Sequence, residues 1–109
     1  MEGSDDFVGP REVWSAPRIE KVRNDLGVAI RAAQELMASH EPIIKETYEA
    51  LTELGDRVVE AVEVYDDIVR LEKEENQDQE EVNSILKGAL KTRIALLETY
   101  LRAKTEIEK

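Results

Sequence analysis

Histidine occurs once in this chain, at position 40, and cysteine does not occur at all. Disulfides, thiolate metal sites and cysteine nucleophiles are thereby excluded, and a histidine general base has a single candidate. His40 precedes Glu41 and Pro42, at what reads as a helix corner. Its expected work is to interact with the last carbonyls of the helix that it ends. Ser39 is next to His40 in sequence, but neither it nor Ser4, Ser15 or Ser84 has a strained glycine-rich turn to present its hydroxyl, so nucleophilic catalysis finds no candidate. No enzyme activity is expected.

Carboxylates are the abundant chemistry. The run from Glu72 to Glu81 offers many oxygens, but it lacks the glycine turn and alternating ligand spacing of a calcium loop. It reads as a solvated corner. A di-metal bundle site would need Glu-x-x-His pairs, and there are none. The metal reading that remains is a small metal-responsive regulator using Glu60, Glu63 and Asp67, and it stands as the alternative function. No cofactor is expected.

The formal net charge of −10 argues against a nucleic-acid partner and against anionic membranes, since phosphate binding needs clustered Lys and Arg. The charge is uneven. Residues 41–75 carry twelve acidic and four basic residues, while residues 76–109 carry six of each. No apolar run reaches the length of a membrane span, and Met1-Glu2-Gly3-Ser4-Asp5-Asp6 has the wrong chemistry for a signal peptide. A cytoplasmic protein is the expectation.

Three amphipathic segments must position whatever these residues do. The composition is 41% hydrophobic and 37% charged with only three prolines, which favours helix throughout the 109 residues. The central segment, Glu41 to Glu75, holds an unbroken heptad pattern. With Tyr48, Gly55, Val62 and Val69 at position a, Ile44, Leu51, Val58 and Tyr65 fall at d, and Thr47, Leu54, Ala61 and Ile68 at g. An apolar face of that width needs a neighbour on each side. The chain is therefore expected to form an all-α, up-down-up three-helix bundle over residues 16–109, behind an N-terminal arm of residues 1–15 that carries Phe7, Val8, Val13 and Trp14.

Helix 1 is expected to start near Ser15 and Pro17 and to end near Ser39, before Pro42. A tight corner would then pair Ala33 with Leu51, Ala29 with Gly55, Leu26 with Val58, and Ile19 with Tyr65. Helix 3, capped by Asp78 and running to about Glu106, would pair Ile68 with Leu86 and Leu51 with Ala103. A second helix 3 line, Leu90, Ile94, Leu97 and Leu101, is left to meet helix 1. Arg93 interrupts the apolar pattern, and its guanidinium is expected to reach Asp25 or Glu60.

Leu51-Thr52-Glu53-Leu54-Gly55-Asp56-Arg57-Val58 is similar to the amphipathic death-motif helix of apoptosis regulators, which inserts into a groove. Its Leu-x-x-hydrophobic-Gly-Asp core also looks like part of the helical repeat of phosphate-uptake regulators, where the acid helps to bind metal. The first likeness covers eight residues of the 109, and the second no more than its Leu51–Asp56 string. The bundle register already uses Leu51, Gly55 and Val58 for internal packing.

In this register the helix 2–helix 3 hairpin projects past the start of helix 1, and residues 66–86 form an overhang. Trp14, Val64, Ile68, Leu71 and Ile85 gather at that end. They are the expected contact surface of a non-enzymatic interaction or self-assembly module, an adaptor or structural component, with a protein partner or a second copy. Folding of the arm over the overhang is the competing fate.

Overall fold

Two of the three helices start where a side chain satisfies one of their first amides, whereas the second starts at Ile44 without a side-chain cap. The computed structural model describes residues 14–40, 44–75 and 77–108, and these form α1 (Ala16–Ser39), α2 (Lys45–Lys73) and α3 (Gln79–Glu108), with no strand among the described residues. Ser15 is the N-cap of α1: its hydroxyl accepts from the Arg18 amide at 3.3 Å, and Pro17 sits in the first turn, where its missing N–H costs nothing. Asp78 serves α3 in the same way, its carboxylate accepting from the Glu80 amide at 3.0 Å. The C-terminus of α2 is closed by Gln77, whose amide donates to the Leu71 carbonyl at 2.7 Å.

All three helices pack on one another around a single core. The g line of α2, Thr47, Leu54, Ala61 and Ile68, is buried along its whole length, and Leu51 and Val58 are buried beside it. Leu26, Leu54, Leu86 and Leu96 lose all solvent contact, each contributing roughly 1.5–3 kcal/mol through burial. Thr99, the buried polar residue of α3, satisfies its hydroxyl on the Ala95 carbonyl at 2.9 Å. The α2–α3 register follows the expected pairing: Arg70 meets Glu81 at 3.7 Å near one end and Arg102 meets Glu53 at 3.6 Å near the other.

The register of α1 does not follow the expectation. Tyr65 lies against Gly27 rather than Ile19, and Gly55 lies against Met37 rather than Ala29. Both pairs are displaced by eight residues in the same sense, about two turns or roughly 12 Å along the axis. The reason is the connection. His40 (φ −135°, ψ 137°) and Ile44 (φ −115°, ψ 160°) are both extended, so the chain leaving α1 is not a tight corner. Extended backbone covers about 3.3 Å per residue against about 1.5 Å in a helix, so His40 and Ile44 lengthen the reach from α1 to α2. Glu41, Pro42 and Ile43, where the corner was expected, lie outside the described residues, as do the arm residues Phe7, Val8 and Val13.

The overhang therefore sits at the opposite end from the one the sequence suggests. It is the start of α2 with the end of α3, and there Ile44 and Tyr48, expected as core residues, are 55% and 58% exposed. The close approach also moves. A Cβ on Gly55 would make an ordinary 3.6 Å contact with Met37, whereas a Cβ on Gly27 would meet the Tyr65 ring at 3.2 Å, and one on Gly88 would meet nothing within 4 Å. Gly88→Ala is accordingly expected to stabilise the chain by about 0.5–1 kcal/mol, a rise in Tm of about 3–8 °C. Gly27→Ala gains less, because the Tyr65 ring must shift. Thermal melts followed by circular dichroism test this, and a fall in Tm for Gly88→Ala would contradict an uninterrupted α3.

Candidate functional site

The residues expected to form an exposed contact surface are inside the bundle. Ile68 and Leu71 are fully buried, Trp14 is 5% exposed, and Val64 and Ile85 are half-buried against the same core. Trp14 does the sealing. Its indole Nε1 donates to Asn83 Oδ1 at 3.0 Å, its backbone amide donates to Gln79 Oε1 at 3.4 Å, and the Arg18 guanidinium stacks over the ring at 4.3 Å from the centroid. With α1 shifted toward the tip, Ile19 and Trp14 cover the hairpin end, and no exposed large apolar residue is left there among the described residues.

Ion pairs tie the tip together. Arg23 of α1 donates through Nε to Glu72 of α2, and this bond, with a lesser contribution from Tyr65, raises the guanidinium pKa above its already high ordinary value. Its charge is therefore constant across any physiological pH. Arg70 gathers Asp67, Glu74 and Glu81 at 3.6, 3.3 and 3.7 Å, so part of the acidic corner is neutralised within the chain.

The proposed metal carboxylates do not converge. Glu60 pairs with Arg57 at 3.1 Å and Asp67 with Arg70, and no group of three His, Cys, Asp or Glu able to hold a metal ion occurs among the described residues. Engagement of Glu60 by Arg57, and of Asp25 by Lys21 at 3.1 Å, also leaves Arg93 without its two expected partners. Arg93 Nε is enclosed with no acceptor among the described residues. His40 stands where a helix-ending residue should, with Nδ1 3.2 Å from the Leu36 carbonyl. No helix among the described residues is long and apolar enough to cross a membrane.

A different apolar line is left outside. Leu90, Ile94 and Leu101 are 41%, 56% and 59% exposed, and Leu97 between them is half-buried. The spacing of four, three and four residues puts them on one face of α3. The sequence assigned this line to helix 1. In the structure the core line of α3 is Val82, Leu86, Ala89, Leu96 and Ala103; Leu90 borders the start of α1 in a shallow groove with Trp14, Arg18 and Val22, Leu97 packs on the core, and Ile94 and Leu101 face outward. The signal was visible as one apolar line more than α3 needs, but only the position of α1 decides which line is surplus. At its far end Leu101 borders an open groove of about 460 Å³, walled by Glu46, Glu49 and Glu53 of α2 and by Arg102 and Glu106 of α3. Val28 and Val59 are exposed singly, which is ordinary for a helical surface.

The burial of Leu71 sets a test. Leu71→Glu places a carboxylate in the closed tip, and a loss of about 3 kcal/mol or more is expected, seen as a collapse of the cooperative melt. An unchanged Tm would mean that the tip is open. Comparison of the chain with protein-family models, with curated proteins and with solved structures finds no match.

Proposed function

We propose that the chain is a non-enzymatic protein–protein interaction module, an adaptor or structural component, that binds through the outer face of α3. The observation that supports this reading is the Leu90–Ile94–Leu97–Leu101 line: large apolar side chains at helical spacing on one helix, with Leu90, Ile94 and Leu101 exposed and Leu97 half-buried between them. Such a face is the usual anchor set of helix-to-helix recognition. Isolated exposed apolar residues are common, whereas a contiguous row of them on one helix is a surface kept for contact. The acidic α2 flank would favour partners with basic rims and hold off nonspecific ones. We place this role in the cytoplasm, which suits a chain without cysteine.

A photo-reactive residue substituted for Ile94 tests the reading in the cell of origin, with the same residue at exposed Glu35 of α1 as control. Position 94 is expected to give one discrete cross-linked species, identified by mass spectrometry, whose binding to the purified chain is lost in Ile94→Glu. The same products at both positions, or none at 94, would remove the assignment.

A further inference from the structure

We propose that the occupant of the α3 face is a second copy of this chain, paired antiparallel through the same face; this rests on the interaction-module reading and names its partner. The face has defined ends. Continuing the same spacing outward places Lys87 before Leu90 and Lys104 after Leu101, so the apolar line stops at a lysine on each side. Between them it spans about 16 Å of helix. A twofold axis crossing α3 between Ile94 and Leu97 sets Leu90 against the partner's Leu101 and Ile94 against the partner's Leu97. Every layer is then large apolar against large apolar, as isologous pairing requires.

Charge supports this occupant and this direction. Lys91 and Glu98 lie seven residues apart on one edge of the line, too far apart along the helix to pair within it. Neither takes part in an ion pair among the described residues. In the antiparallel arrangement Lys91 of one copy falls beside Glu98 of the other, and the symmetry makes this contact twice. Parallel pairing would instead bring the two acidic tips, Glu72 to Glu81, side by side. The segment that carries α3 is also charge-balanced, six acidic against six basic residues over 76–109, so two chains of net charge −10 meet here with less repulsion than the α2 faces would impose, Glu46, Glu49 and Glu53 of α2 standing beside the Leu101 end alone. Four layers fall short of the roughly 1,200 Å² that standard stable interfaces bury, so the dimer is a weak one.

The test is the mass of the full chain by sedimentation equilibrium from about 10 µM to about 1 mM, a range that brackets a weak interface. The mass is expected to rise from 12.4 kDa toward twice that value. Ile94→Glu should remain at monomer mass with an unchanged melt. Lys91→Glu should raise Kd about 3–5-fold, and the exchange Lys91→Glu with Glu98→Lys should restore it. A monomer throughout the range overturns the proposal, and so does a dimer indifferent to Ile94→Glu. A monomer that Ile94→Glu also destabilises would show the line to be covered from within the chain, by residues 1–13. An exchange that fails to rescue overturns the antiparallel pairing. A monomeric chain that still binds another protein in an Ile94-dependent way would overturn self-pairing alone and leave the interaction-module reading standing.

Discussion

The placement of α1 along the α2–α3 hairpin is the constraint on which the rest of this structure depends. α2 and α3 are similar in length and pair along most of it, so they form a long two-helix template with two ends to cover. α1 is shorter and can close only one. The extended backbone at His40 and Ile44 lets it slide toward the tip, and Trp14 holds it there by donating to Asn83 and Gln79 of α3. Burial of Ile68, Leu71 and Val82 at the tip follows from that choice, as does exposure of Ile44 and Tyr48 at the other end. A shift of about two turns decides which apolar residues are core and which are surface.

This dependence explains what could be read from the residues and what could not. Helix existence and limits were legible because they rest on local chemistry: Ser15 and Pro17 at one start, Asp78 at another. The α2–α3 register was legible because its partners share one tight corner, and the g line of α2 is continuous. The α1 register was not. A heptad surface matches itself after every seven residues, so pairing Ile19 or Gly27 with Tyr65 gives nearly the same pattern of apolar against apolar. Only the length of the connector separates the two, and a Pro in the sequence announces a corner without saying how far the chain travels through it. The expected contact surface at the tip inherited this error, and so did the assignment of Ile94 and Leu101 to helix 1, whereas Leu90 does border it.

Electrostatics shape the surface more than the core. The ion pairs are exposed or half-exposed contacts, worth little individually, and their distribution matters more than their number. Arg70 and Arg23 draw the carboxylates of the tip inward, whereas along α2 the acids face outward. The molecule thus has one strongly negative flank and one balanced flank, and its exposed apolar line is on the balanced one. Arg93 is the exception in the interior, with an enclosed Nε lacking an acceptor where most buried polar atoms have one.

The long reach of the Trp14 contact also bears on the order in which the chain assembles. Asn83 lies 69 residues from Trp14 in sequence, whereas α2 and α3 are joined by a turn of a few residues and can zip up from it. Closing a long loop costs more entropy than closing a short one, so the Trp14–Asn83 contact is expected to follow the pairing of helices that are neighbours in sequence. α1 is the shortest of the three helices, and Trp14, with the Arg23–Glu72 pair and buried Ile19, keeps its start on the hairpin. Detachment would bare Leu54, Val58 and Leu96 together with the outer line of α3, turning a weak contact surface into a wide adhesive one. The lone tryptophan thus serves as a latch on the chain's own tendency to stick.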